Sequence, residues 1–281
     1  MKINKNSLQA RVQNLSVKKG VPSNVILQSY FFDAFIKRLA YSKYSENFIF
    51  KGGFLLSTSL GIDYRSTMDI DFLISRLSLE KDIIEKVFKE IIAIDVDDWV
   101  EFDFNKISNI REEDQYGGFN ISLIGKLENI KVPVNIDLAT GDPITPSFVL
   151  YTYKCMFSGE TINFQSYNYE TIISEKLQTV LSRGMTNSRS KDFYDLYIIT
   201  KLKYENINKD VLFTAFQNTC KYRNTYFSKE RAFEILSSLS SDKNILTRWN
   251  AYTRKNEFAH NIEFINVIES INKIIEVVYK N

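Results

Sequence analysis

The chain has 281 residues, 44% of them hydrophobic, with 21 Phe and 16 Tyr against 4 Pro and 10 Gly, so it carries enough apolar surface to offset the entropy of ordering and is no disordered segment. Its 36 Lys and Arg balance 34 Asp and Glu, which excludes a polybasic tail or an acidic solvating segment as the main feature. The 2 Cys and 1 His cannot furnish a four-ligand zinc site, and a serine triad would have to rest on His260 alone.

In chain order, Leu8, Val12, Leu15 and Val17 form a helical stripe that Gly20 ends, and Pro22-Ser23 opens a second helix carrying Ile26, Tyr30, Phe31, Phe35 and Leu39. Residues 48–50 read as a short buried strand, Gly52-Gly53 breaks it, and 54–60 resume as a short helix stopped by Gly61. A strand over 70–74, a helix over 79–92 and strands over 99–107, 119–127 and 130–138 follow. After a loop at 140–143 and a last strand near 161–164, helical periods dominate from Tyr169 onward. The expectation is an α+β chain, with a mixed-sheet domain over 1–165 that includes the N-terminal helices and a helical domain over 166–281. The second carries 17 basic against 13 acidic residues and the first 19 against 21, so the helical part is the more cationic. No run of ~18 apolar residues predicts a membrane span, and the polar start lacks an apolar signal core, so a reducing cytoplasm is expected.

The sharpest chemical feature is Arg65-Ser66-Thr67-Met68-Asp69-Ile70-Asp71-Phe72. On a strand the side chains alternate, so Asp69 and Asp71 share one face while Ile70 and Phe72 enter the core on the other. Two like charges there repel unless a cation neutralises them, and Mg²⁺ favours one or two carboxylates completed by waters and substrate phosphates. The same dipeptide pattern also fits a strand end with two solvated acids. Upstream, Lys51-Gly52-Gly53 stands where a strand turns into a helix, a place where bare backbone N–H groups can hold a triphosphate. No Walker lysine-hydroxyl sequence accompanies it. A third acid, Asp137, interrupts the apolar strand Val134-Asn135-Ile136-Asp137-Leu138.

In the helical part, Lys176 and Arg183 lie two helical turns apart on one side, and Asp192 and Asp195 share a face. They fit either an ion-paired helix hairpin or, beside a metal cleft, cations that neutralise transferring phosphates with Asp192 or Asp195 orienting them. Lys201, Lys203, Lys209, Lys221 and Arg223 are candidate phosphate contacts for a nucleic acid, with Tyr222 and Tyr226 as candidate stacking rings. Each also fits an ordinary solvated helix surface, core or rim.

The order glycine turn, Asp-x-Asp, later strand Asp resembles the nucleotidyltransferases related to DNA polymerase beta, in which the first two acids hold two metals and the third helps activate the attacking hydroxyl. More specifically, Asn47-Phe48-Ile49-Phe50-Lys51-Gly52-Gly53-Phe54-Leu55-Leu56-Ser57, residues 65–72, residues 135–146 and residues 169–197 together resemble the AbiEii family of nucleotidyltransferase toxins from type IV toxin-antitoxin, or abortive infection, systems. The resemblance implies a nucleotidyltransferase domain, a helical domain and an active site in the cleft between them. It carries the metal-binding acids onto Asp69 and Asp71, the basic motif onto Lys176 and Arg183, and the last acidic motif onto Asp192, with Asp195 as its rival. Many relatives have Ser or Thr after the paired glycines where Phe54 stands here, so Ser57 or Thr67 is the candidate hydroxyl. Implied cofactors are Mg²⁺, with Mn²⁺ as the alternative, and an NTP as substrate. The implied acceptor is RNA, in the family the tRNA 3′ end, whose loss of aminoacylation arrests growth and aborts phage infection. The implied partner is an antitoxin that represses transcription without a stable complex. Transfer to a protein or small-molecule hydroxyl, and a non-catalytic GTP/NTP-binding module, are the competing readings.

Overall fold

The computed structural model describes residues 2–110 and 117–279. Its elements are helices α1 (Lys5–Lys19) and α2 (Ser23–Tyr41), strand β1 (Phe48–Lys51), helix α3 (Gly52–Leu60), strand β2 (Asp69–Ile74), helix α4 (Lys81–Ile92) and strands β3 (Glu101–Asn109), β4 (Gly118–Leu127), β5 (Ile130–Ala139), β6 (Val149–Lys154) and β7 (Thr161–Ser166). Helices α5 (Tyr169–Arg183), α6 (Ser190–Lys203), α7 (Lys209–Tyr222), α8 (Lys229–Ser241), α9 (Lys243–Lys255) and α10 (Phe264–Val278) follow. The seven strands form one mixed sheet in the order β3-β4-β5-β2-β1-β7-β6. The α+β class expected from the sequence is the class observed. Two details differ: α3 begins at Gly52 itself, not at Phe54, and β6 is an additional strand. β6 lies at the sheet edge with Val149 and Leu150 both exposed, so it lacks the one-sided alternation that marks a strand in a sequence.

The chain divides into two compact units, one of residues 1–141 with 149–166 and one of 142–148 with 167–281. In the first, Phe50 pairs with Phe72 across β1 and β2, and Phe72 with Leu138 across β2 and β5, so strict alternation gives the sheet one apolar face. Phe35 of α2 stacks on Phe88 of α4 at 5.7 Å, and Phe48 meets both Phe72 and Phe88 edge-on at 5.4 and 6.0 Å. A Cβ at Gly125 would come within 2.4 Å of the Phe31 ring, so this glycine lets α2 lie against the strand.

Helix α2 is buried over most of its length, and its polar side chains fasten separate parts of the unit. Asp33 accepts from the Tyr153 hydroxyl and from the Met156 N–H at 2.6 Å, Lys37 pairs with Glu160 at 2.7 Å, and Arg38 grips Asp98 at 2.7 and 3.0 Å. Burial pushes the Asp33 carboxyl up to about 7, although Tyr153, the Met156 N–H and Lys37 pull it down. The folded chain therefore keeps a proton that the unfolded chain releases near pH 4. That contribution is fully present below the unfolded pKa and is lost as pH rises to about 7, up to about 4 kcal/mol in all. Asp33→Asn keeps an acceptor for Met156 and a donor for Tyr153, so it is expected to flatten this fall in stability. Urea unfolding of both proteins at pH 5 and pH 8 checks it, and an equal pH dependence would count against the assignment.

The second unit is built on helix seams. Ile173, Leu177 and Val180 of α5, Leu196 and Ile199 of α6 and Val267, Ile271 and Ile274 of α10 are buried. Its short segment 142–148 is held by side chains of that unit. The Thr145 N–H donates to Thr171 at 3.1 Å, Asn168 to the Thr145 carbonyl at 2.7 Å, and Asn218 to the Thr145 hydroxyl at 3.0 Å. Among the described residues no helix is long and apolar enough to cross a membrane.

Candidate functional site

The polar face of the first unit's sheet carries the strand acids. Parallel pairing of β2 with β5 puts Asp69 beside Asn135 and Asp71 beside Asp137, and antiparallel pairing of β1 with β2 puts Lys51 beside Asp71. Neighbouring strands lie about 4.8 Å apart, so Asp71 and Asp137 project side by side, with Asp69 one pleat along. All three are half-buried, because their strands lie inside the sheet while the carboxyls point away from its apolar face. On the far side of β5, Asn120 of β4 stands opposite Asp137 and donates to it at 2.7 Å.

The glycine turn is built against the same carboxylates. Gly52 has φ +68°, and a Cβ there would fall 2.1 Å from Asp71 Oδ2, so both backbone and space require glycine. The Gly53 N–H, in the first turn of α3, donates to Asp71 Oδ2 at 3.1 Å. Arg65 and Thr67 flank Gly53: a Cβ on it would lie 3.1 Å from Arg65 Nη2 and 3.2 Å from Thr67 Oγ1. Arg65 is buried and donates to the Ser66 carbonyl. Ser57 is buried within α3 at 3% exposure, whereas Thr67 is only half-buried; of the two candidate hydroxyls, Thr67 is the one beside the turn.

This oxygen-rich donor set suits a hard divalent ion, and the missing Cβ at Gly52 lets the Asp71 carboxylate pack directly against the turn. Among the described residues no three His, Cys, Asp or Glu side chains are gathered into a preformed ion cage. Mg²⁺ asks for no such cage, since one or two carboxylates, waters and substrate phosphates complete its shell, so the residues present fit it.

The second unit holds a separate charged cluster. Lys176 of α5 reaches Asp195 at 2.6 Å and Asp192 at 3.1 Å, both on α6, and Arg189 closes on Asp192 at 2.7 Å. Side-chain exposure is 14% for Lys176, 3% for Asp192 and 0% for Asp195, so the charges are held by one another more than by water. Burial pushes the Asp192 carboxyl up, but Lys176 and Arg189 outweigh it and hold the carboxyl below the usual carboxylate range. Arg183, in the last turn of α5, is exposed and outside this cluster. Lys176 is thus gathered with both candidate acids at once.

Of the surface cations, Lys201 lies over the Tyr197 ring and Lys209 over that of Tyr204, at 5.5 and 5.6 Å, while Lys221 is exposed and Lys203 half-buried. Tyr226 is 86% exposed and Tyr222 half-buried. Arg223 is half-buried; its guanidinium donates to Gln178 at 2.8 Å and Thr179 at 3.1 Å and lies 3.7 Å from Asp142, so it also ties segment 142–148 to α5 within the unit. Sequence reasoning missed Asn120. A polar residue in the alternating run 118–127 was its only signal, and only the strand register connects it with Asp137.

Two solved structures share this architecture. A crystal structure of a candidate nucleotidyltransferase from H. pylori matches with TM-score 0.54 at 14% identity, over 92% of this chain and 96% of the other. The crystal structure of JHP933 from Helicobacter pylori matches with TM-score 0.52 at 14% identity, over 91% of each chain. At that identity the likeness establishes the fold alone. Among curated proteins none matches the sequence. The family model described as nucleotidyl transferase AbiEii toxin, type IV TA system, spans residues 34–269, which takes in both the strand acids and the Lys176 cluster, and the chain belongs to this family of nucleotidyltransferase toxins.

Proposed function

We propose that the protein transfers a nucleoside monophosphate from an NTP to an RNA hydroxyl, the 3′ end of tRNA, and thereby stops aminoacylation and growth. The observation that carries this reading is the Gly53 N–H donating to Asp71 on the face shared with Asp69 and Asp137. It supports the reading by bringing the strand-to-helix turn and the strand acids into one hydrogen-bonded group. Asp69, Asp71 and Asp137 are assigned to hold Mg²⁺, with Mn²⁺ as the alternative. When bound, such an ion supplies neutralising charge to the triphosphate.

Lys51, Gly52, Gly53, Arg65 and Thr67 are assigned to the triphosphate, with Ser57 supporting the turn from inside α3. The acceptor oxygen attacks the α-phosphorus, its proton passes to Asp137, a phosphate ester forms, and the bond to the pyrophosphate leaving group breaks. Asn120 donates to one Asp137 oxygen and so orients the carboxyl. In the second unit Lys176 and Arg183 are assigned to the phosphates, with Asp192 and Asp195 orienting Lys176. The exposed cations Lys201, Lys209 and Lys221 are assigned to the RNA backbone. As a type IV toxin the protein has a cognate antitoxin; we assign it the role of a transcriptional repressor without a stable complex, in a cytoplasmic phage-defence system.

Incubation of the pure protein with each labelled NTP, total tRNA and Mg²⁺ or Mn²⁺ tests the reading. Label joined to RNA with release of pyrophosphate is the expected result. Label on protein or on a metabolite would move the acceptor to those classes, and nucleotide binding without pyrophosphate release under either metal would overturn the enzymatic reading.

A further inference from the structure

Helix α2 places one buried amide where the two acid-bearing strands begin. Gln28, 3% exposed, donates from the same Nε2 to the Met68 carbonyl at 3.0 Å and to the Pro133 carbonyl at 2.9 Å. Met68 immediately precedes Asp69. Pro133 lies two residues before Asn135, the residue paired with Asp69 where the β2–β5 ladder starts. β4 flanks Pro133 on its other side, through the pairing with Ile124. The buried Gln28 amide needs partners for both its hydrogens, and these two carbonyls supply them. Gln28 therefore staples β2 to β5 at the end from which Asp69, Asp71 and Asp137 extend. An apolar residue could fill the same volume on α2 without fixing that spacing.

We infer that Gln28 is a positioning residue that sets the separation of the Asp69–Asp71 strand from the Asp137 strand and so the affinity of the three acids for a divalent ion. The inference rests on the reading of these acids as ion ligands. Its test is Mn²⁺ titrated into the full chain, with bound and free ion distinguished by electron paramagnetic resonance. Gln28→Met keeps the side-chain length and removes both donors, and Mn²⁺ affinity is expected to fall about 10- to 100-fold, as when groups that orient metal ligands are lost. Gln28→Asn keeps an amide that is too short to reach both carbonyls, and an intermediate loss is expected. Ser29→Ala removes only a bond to the Val25 carbonyl within the helix and should leave binding unchanged. Asp71→Asn, measured alongside, should remove most binding. If the wild type binds no Mn²⁺, or Asp71→Asn binds as well as the wild type, the reading of the acids fails and this inference with it. If Asp71→Asn loses binding while folded Gln28→Met keeps wild-type affinity, the role of Gln28 alone is overturned. Should Gln28→Met not fold, wild-type affinity in Gln28→Asn overturns it equally. A purely structural role would lower the melting temperature and leave the affinity of the folded protein intact.

Discussion

Asp71→Asn is expected to lower nucleotide transfer by about 10³-fold while leaving the protein as stable as before, or more so. The size follows from removing one charge from a site where charge stabilisation dominates the chemistry. The stability follows from the surroundings. Asn still offers an oxygen to the Gly53 N–H, so the turn at Gly52 keeps its anchor. Asp71 also stands beside Asp137 across the β2–β5 pair, and removing one of two adjacent like charges relieves repulsion in the ion-free protein. Lys51 stands beside Asp71 across the β1–β2 pair, where the attraction between two half-exposed charges contributes little. Transfer assays with labelled NTP, together with a thermal melt, check both halves. Activity within tenfold of the wild type would mean that the acids serve the fold and not the reaction. In cells the same variant should relieve growth arrest.

The second large effect concerns Lys176. Lys176→Met leaves the fully buried Asp195 without its ammonium, whereas Asp192 keeps Arg189 at 2.7 Å. Breaking a buried pair from one side costs about 3–5 kcal/mol, because the remaining charge loses its ammonium and gains no water in return. The double variant Lys176→Met/Asp195→Asn removes that charge as well and should regain most of the loss. Transfer separates the two roles of the lysine. If Lys176 acts on phosphates, the double variant is stable and inactive; if transfer returns with stability, Lys176 is only a helix tie. The acid limb of stability should change too. The Asp192 carboxyl, opposed by burial but held low by Lys176 and Arg189, contributes stability above the ordinary carboxylate range that is lost as pH falls through its folded pKa. Removing Lys176 shrinks that contribution, so the single variant should show a shallower loss on acidification, measurable as urea midpoints between pH 7 and pH 3.

Much of the candidate site is legible in the chain because strand alternation is local. Asp69, Ile70, Asp71 and Phe72 must alternate faces on any strand, and a positive-φ turn before a helix calls for a residue such as Gly52. The Lys176, Asp192 and Asp195 spacings are likewise helical arithmetic, although whether Lys176 meets one acid or both depends on how α5 lies against α6. The edge strand β6 escaped sequence reasoning because a strand with consecutive exposed Val149 and Leu150 shows no apolar period. The internal contacts of Arg223 escaped for a related reason. A cation at a helix end looks solvated until the groups that face it, Gln178, Thr179 and Asp142, are known.

Residue order alone determined the α+β class, the face shared by Asp69 and Asp71, and the glycine at the head of α3, since each follows from dihedral preference and periodicity within a few residues. The tertiary structure decided that Asp137 stands beside Asp71, that Asn120 donates to it, and that Gln28 joins the starts of β2 and β5. Pairing register between strands some sixty residues apart is chosen by long-range packing of their apolar faces, and no local pattern encodes it.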